Sequence, residues 1–225
     1  MLLEVSEKGV RRIVVPEKAT LMGMIASDGS NVLYRKERSK GRYCTEYTTR
    51  FYSKDKELIE MFDRLSEEIY DITPHHYTRK RNSLITAQIY SKGIFYDLDD
   101  LDLKPRPYEF HVPREHLDSE GKKAFLKGFF SGDGSISLSK GRITVMGIYS
   151  KYKEGLEELC QILTDVGFHP YEILEYQKPG EETCYYFLIP AKEYVKFMEE
   201  IGSYRPRHVL IFEEFKKKLE EREEK

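Results

Sequence analysis

KATLMGMIASDGS (residues 18–30) and KAFLKGFFSGDGS (123–135) are two versions of one awkward helix. Gly23 and Gly128 sit in the middles of these stretches, where glycine costs about 1 kcal/mol relative to alanine. Asp28 and Asp133 sit at the ends, where the unpaired carbonyls of a helix C-terminus disfavour negative charge. Ala19, Gly23 and Ser27 are spaced i, i+4, i+8, as are Ala124, Gly128 and Gly132. Each set forms one stripe almost free of side chains. Two such stripes let helix backbones approach closely, so the two helices are expected to pack on each other. Leu21, Met24 and Ile25, with Leu126, Phe129 and Phe130, would then cover sheets. Gly29 and Gly134 suit the left-handed residue that ends a helix. The packing brings Asp28 and Asp133 together, and two carboxylates beside two helix C-termini repel unless a cation joins them. Hard divalent ions take carboxylate and carbonyl oxygens.

The duplication continues outward. FYSKDKELIEMFDRL (51–65) matches IYSKYKEGLEELCQIL (148–163), a strand entering a helix in both. YCTEYTTRFY and GRITVMGIY upstream are rich in β-formers. SLITAQIYSKGIFYDL and TCYYFLIPAKEYVKFMEEI downstream are strands running into helical spacing. Each half therefore reads helix, hairpin, helix, hairpin, helix, an α+β plan. LKPRPYEFHVPREHLDSE between them carries Pro105, Pro107 and Pro113, which favour an extended connection. The expected division is 1–117 and 118–225. EEFKKKLEEREEK at the end reads as a charged, solvated helix.

The 225 residues carry 34% charged side chains and a net charge of −2, so any basic surface must be local. No window approaches the ~20 apolar residues of a membrane span, and MLLEVSEKGVRR lacks the core of a signal peptide. An intracellular protein of the cytoplasm or nucleoid, with no membrane partner, is expected. Cys44, Cys160 and Cys184 form neither a disulfide framework nor a zinc motif and are expected to be buried thiols.

LMGMIASDG and LKGFFSGDG match the nine-residue signature of the LAGLIDADG homing endonucleases at its first leucine, middle glycine and final Asp-Gly. The repeat plan resembles that family's two-motif, single-chain form across nearly the whole chain. The resemblance implies two pseudo-symmetric αββαββα subdomains, a saddle of two antiparallel sheets along DNA, and motif helices at the pseudo-twofold axis. It implies that Asp28 and Asp133 are catalytic acids binding Mg²⁺, helped by the carbonyls of Ser27 and Gly132. Mn²⁺ would substitute, and Ca²⁺ would bind without efficient cleavage. Ser53, Lys54, Ser150 and Lys151 stand where active-site support is expected, and the identity of any catalytic lysine stays open. No flanking segment resembles an intein splicing block, so an intron-encoded, monomeric enzyme is expected.

A two-stranded ribbon fits the major groove of double-stranded DNA. In EYTTRFYS, alternation puts Tyr47, Thr49 and Phe51 on one face and Glu46, Thr48 and Arg50 on the other, the expected reading face. In SLITAQIYS, Ile85, Ala87 and Ile89 would pack inward and leave Thr86 and Gln88 outward. Arg35, Lys36, Arg38, Lys40 and Arg42 crowd the first hairpin, and Arg79, Lys80 and Arg81 the second. With Lys140 and Arg142 in the second half, they are candidates for phosphate neutralisation. The acidic run Asp97, Asp99, Asp100 and Asp102 is expected to face away from DNA, and His75 and His76 to lie in a loop or touch phosphate. Sequence-specific double-strand cleavage is the leading function. A maturase assisting splicing of a host intron RNA, and a non-cleaving DNA-binding regulator, are the rivals.

Overall fold

The computed structural model describes residues 2–6, 9–38, 42–79, 82–103, 109–177, 180 and 182–223. A hairpin of β1 (Leu2–Ser6) and β2 (Gly9–Ile13) precedes the first repeat. That repeat runs α1 (Pro16–Asp28), β3 (Gly29–Arg38), β4 (Arg42–Ser53), α2 (Lys56–Tyr70), β5 (His75–Arg79), β6 (Leu84–Tyr90) and α3 (Lys92–Asp99). The second runs α4 (Ser119–Asp133), β7 (Gly134–Ser139), β8 (Arg142–Ser150), α5 (Lys153–Asp165), β9 (Leu174–Tyr176), β10 (Cys184–Leu188) and α6 (Tyr194–Glu200), and α7 (Pro206–Glu223) closes the chain. Strand order is β3-β4-β6-β5 in one antiparallel sheet and β7-β8-β10-β9 in the other. The two orders superimpose repeat on repeat, as the duplicated sequence requires.

The motif helices pack backbone to backbone. A Cβ placed on Gly23 would stand 2.1 Å from the Phe125 carbonyl oxygen, and one on Gly128 would stand 2.2 Å from that of Thr20. At Gly132 it would meet Ser27 Oγ at 2.1 Å. Leu21, Met24, Ile25, Leu126, Phe129 and Phe130 are fully buried, and one hydrophobic cluster runs continuously through both repeats. Phe51 stacks on Phe62 of α2 at 5.3 Å in the first half, and Phe130 meets Phe197 of α6 at 4.9 Å in the second.

Several expectations change. Gly29 (φ −125°) and Gly134 (φ −65°) are extended rather than left-handed, because each helix passes directly into a strand. Glycine is needed there for close approach: a Cβ on Gly134 would lie 2.2 Å from the Phe130 carbonyl oxygen. The final helix begins at Pro206, earlier than the charged tail, and buries His208 and Phe212. The three cysteines are half-buried. Asp97 lies on the helix side of its sheet, paired with Arg12 and Lys18 and accepting a hydrogen bond from Tyr70 Oη at 2.6 Å. It fastens the N-terminal hairpin to α3. Pro105 and Pro107 lie outside the described residues.

Replacing a helical glycine with alanine ordinarily stabilises by about 1 kcal/mol. Gly128→Ala is expected to do the reverse, losing about 1–3 kcal/mol by overpacking, with Gly128→Leu losing at least as much. Urea unfolding of the three proteins measures the sign directly.

Candidate nucleic-acid interface and acid pair

Asp28 ends α1 and Asp133 ends α4, so the helix pair delivers both carboxylates to one place. Asp28 Oδ2 would lie only 3.0 Å from a Cβ on Gly132, the residue before Asp133. Both acids line an open cleft of about 640 Å³, together with Ser27, Tyr34, Tyr52 and Arg79 from the first half and Tyr149, Ser150, Lys151 and Cys184 from the second. Glu109 and Phe110 of the linker complete its wall. Burial raises the pKa of both carboxyls. For Asp133, burial and then the neighbouring Asp28 charge push it up to about 8, against a smaller opposing pull from Arg205.

The duplicated YSK serves geometry. Ser53 Oγ accepts from the Asp55 amide and Ser150 Oγ from the Tyr152 amide, both at 3.1 Å, forming matching strand-to-helix turns. Lys54 is exposed to solvent, whereas Lys151 lines the cleft and pairs with Glu182.

On the first sheet the expected alternation holds. Tyr47 packs on Phe95 of α3 and Phe51 on α2, so Glu46, Thr48 and Arg50 point to the opposite face, where Thr48 is nonetheless fully buried and donates to the Val32 carbonyl. Register sets Arg50 beside Ser30 and Gln88, and Tyr52 beside Thr86. His75 and Tyr77 begin β5 next to Gln88 and Thr86, so the histidine lies in a strand rather than a loop. His76 points the other way to Asp63, 2.9 Å from its carboxylate. Thr86 and Gln88 do point to the open face, but they are buried rather than exposed, at 0% and 3%. Arg50 donates to Tyr34 Oη at 3.1 Å and lies over that ring.

Among the described residues, four buried side-chain polar atoms lack a hydrogen-bond partner: Arg50 Nε, Thr86 Oγ1, Gln88 Nε2 and Arg205 Nε. Three of the four stand together on this open face. Buried polar atoms without partners are costly and rare in native proteins, and here they cluster beneath one face of the first sheet.

The hairpin cations divide. Arg35 stacks over Tyr43 at 4.6 Å, and Lys36 pairs with Glu46 at 3.6 Å. Arg42 and Arg142 are exposed, and Arg79 lies over Tyr52 at the cleft. Lys140 sits at a turn whose carbonyl accepts from Arg222 of α7. The Arg38 side chain, Lys40, Lys80 and Arg81 lie outside the described residues. Sequence reasoning missed Glu109, Tyr34 and Arg205. Only the aromatic at position 34, on the same face as Val32, gave a periodic signal.

Residues 120–202 match the family model of the LAGLIDADG-like domain. The chain is 23% identical over 184 residues to a DNA polymerase of Thermococcus kodakarensis, covering 76% of this chain and 10% of that protein. It is 24% identical over 195 residues to the probable cell division protein WhiA of Ligilactobacillus salivarius, covering 83% of this chain and 56% of that protein. The chain thus spans a small part of one relative and about half of the other. Among solved structures, variants of the homing endonuclease I-DmoI share its fold with a TM-score of 0.62 at 20% identity, covering 83% of this chain and 95% of that one. I-DmoI in complex with DNA and Mn gives 0.59 at 19% identity, covering 83% and 96%. Residues 120–202 thus match a LAGLIDADG-like domain, and the chain shares the two-repeat fold of the single-chain LAGLIDADG endonucleases. No helix among the described residues is long and apolar enough to cross a membrane.

The raised Asp133 pKa fixes a pH dependence. Its folded value, about 8, exceeds the ordinary 3.8, so the metal-free folded state is penalised as pH rises from 3.8 through about 8. In EDTA, Asp133→Asn is expected to melt with wild type near pH 4 and above it near pH 8, by on the order of 2 kcal/mol. Thermal melts across that range check it.

Proposed function

We propose that this protein is a metal-dependent, site-specific double-strand DNA endonuclease, with Asp28 and Asp133 as its catalytic acids. The observation that carries the reading is their convergence from two repeats into one cleft flanked by two sheets. Among the described residues no group of three or more His, Cys, Asp or Glu gathers into a metal cluster. A pair of carboxylates beside helix-terminal carbonyls fits a hard cation that keeps water and phosphate among its ligands. Asp28 and Asp133, with the carbonyls of Ser27 and Gly132, would hold it. Bound Mg²⁺, or Mn²⁺ in its place, would lower the pKa of water and stabilise charge on the phosphate and the departing 3′ oxygen.

The chain's own residues supply position. Arg50, Gln88, Thr86, Glu46 and Thr48 would read base edges, the first two by bidentate hydrogen bonds. Arg35, Lys36, Arg38, Lys40, Arg42, Arg79, Lys80, Arg81, Lys140 and Arg142 would neutralise phosphates, fixing register without reading sequence. Ser53 and Ser150 hold the turns that shape the cleft walls, and Lys151 offers a cation at its mouth. Residues 1–117 and 118–225 act as two subdomains of one reading unit, and because one chain supplies both acids the active form is a monomer. The halves present unlike surfaces, with β3 and β4 of 10 and 12 residues against 6 and 9 for β7 and β8. The target is accordingly asymmetric.

The kinship with WhiA, named for cell division rather than nuclease activity, favours a second reading: sequence-specific DNA binding without cleavage. A randomised duplex library separates the two. Duplexes retained in Ca²⁺ are expected to be cut in both strands on transfer to Mg²⁺, and Asp28→Asn or Asp133→Asn to bind them while losing at least ~100-fold in rate. Retention with no cutting by wild type supports the regulator instead. On the selected site, Arg50→Ala is expected to lose about 1–3 kcal/mol of discrimination at particular base pairs, while Lys36→Ala weakens all sequences alike. Unchanged specificity of Arg50→Ala removes Arg50 from the reading face.

A further inference from the structure

The fourth orphaned polar atom, Arg205 Nε, lies away from the first sheet. Arg205 ends the turn between α6 and α7, and that turn is pinned to the last turn of α4. The Tyr204 amide donates to Ser131 Oγ at 2.7 Å and Ser203 Oγ donates to the same oxygen at 3.3 Å. Ser203 Oγ in turn accepts from the Arg205 amide at 3.1 Å and shares a hydrogen bond with His208 Nδ1 at 2.9 Å. Ser131, Ser203 and His208 are all buried. Burial holds His208 down to a pKa of about 4, neutral and packed on Phe130. Ser131 is two residues from Asp133, so the network fixes Arg205 relative to the acid pair.

Arg205 lines a second opening, of about 240 Å³, together with Asp55, Gly134, Ser135 and Arg207. Its Nε stands 3.1 Å from Asp55 Oδ2, an ion pair between the halves without hydrogen-bond alignment. Among the described residues the guanidinium donates no hydrogen bond. Its charge is felt by both Asp28 and Asp133. A permanently charged fork with spare donors beside two acids is suited to a phosphate, which accepts two parallel N–H bonds. The pseudo-symmetric place is different. Asp55 corresponds to Tyr152 by the matching serine turns, and Tyr152 packs on Phe110, next to Glu109. Among the described residues, the acid that faces Arg205 on one side of the pair is thus replaced on the other by an aromatic packed on the linker.

We propose that Arg205 is a catalytic residue of the nuclease, its guanidinium contacting a phosphate oxygen of one of the two strands being cut. The assignment rests on the nuclease reading above. Arg205 moves no proton: it stabilises charge that grows on the phosphate as the bond to the 3′ oxygen breaks.

The test uses the full chain and the duplex selected in Ca²⁺, with each strand labelled separately. Arg205→Ala is expected to slow one strand by roughly 100-fold in a single turnover and the other far less, with Arg205→Lys intermediate. Added guanidinium ion should restore part of the alanine variant's rate on the affected strand alone. Asp55→Asn, which removes the ion pair but keeps the arginine, should cut both strands within a few-fold of wild type. Wild-type rates for Arg205→Ala, equal slowing of both strands, or a loss in Asp55→Asn matching that of Arg205→Ala would each overturn the proposal, the last by making Arg205 a tie between halves. A wild type that binds the duplex but cuts neither strand sinks the nuclease reading itself, and Arg205's catalytic role with it.

Discussion

Gly23 and Gly128 allow two helix backbones to touch, and the rest of the molecule is arranged around that contact. Carbonyl oxygens of Phe125 and Thr20 occupy the space that a β-carbon would take. The usual penalty of glycine in a helix is offset by close packing along the whole stripe, which lets the large residues of both helices face outward into the two sheets. The same contact fixes the helix ends. Asp28 and Asp133 become neighbours because Ser27 and Gly132 already are; burial raises both carboxyl pKa values, and the Asp28 charge adds to the rise at Asp133.

Around that axis the two repeats share a topology and differ in surface. The first sheet has the longer hairpin and an open face holding Arg50, Thr86 and Gln88 with unpaired polar atoms. The second has the shorter hairpin, its tip fastened by Arg222, and a half-exposed stacked pair, Tyr149 on Tyr186 at 5.2 Å. A stacked aromatic pair offers apolar contact, as to a thymine methyl, where the first sheet offers donors and acceptors. Duplicated folding chemistry and divergent surface chemistry together suit a long target without twofold symmetry.

Much of this was legible in the sequence because it is periodic. The small-residue stripes recur every fourth position, the β4 faces alternate every second, and the YSK turns repeat in register, so local spacing placed the motif helices, the terminal aspartates and the two faces of β4. What escaped depends on contacts between distant segments. Thr86 and Gln88 alternate outward as expected, yet neighbouring strands bury them, and strand pairing is invisible to alternation. Gly29 and Gly134 looked like left-handed caps because helices often end so. The direct passage from helix to strand, with no turn between, set their extended conformation instead. Arg205 stands before a proline with Arg207 just beyond, and nothing in that stretch announces that Ser131, more than seventy positions away, holds its turn against the acid pair.

The glycine contact holds the two carboxylates in mutual repulsion at one site. A double-mutant cycle on Asp28 and Asp133, measured by unfolding in EDTA near pH 8, tests it most directly. Each Asn substitution should stabilise alone, and the double variant should gain clearly less than the sum, with a coupling on the order of 1 kcal/mol or more. Additive effects within about 0.3 kcal/mol would mean that the acids do not sense one another, contradicting the account.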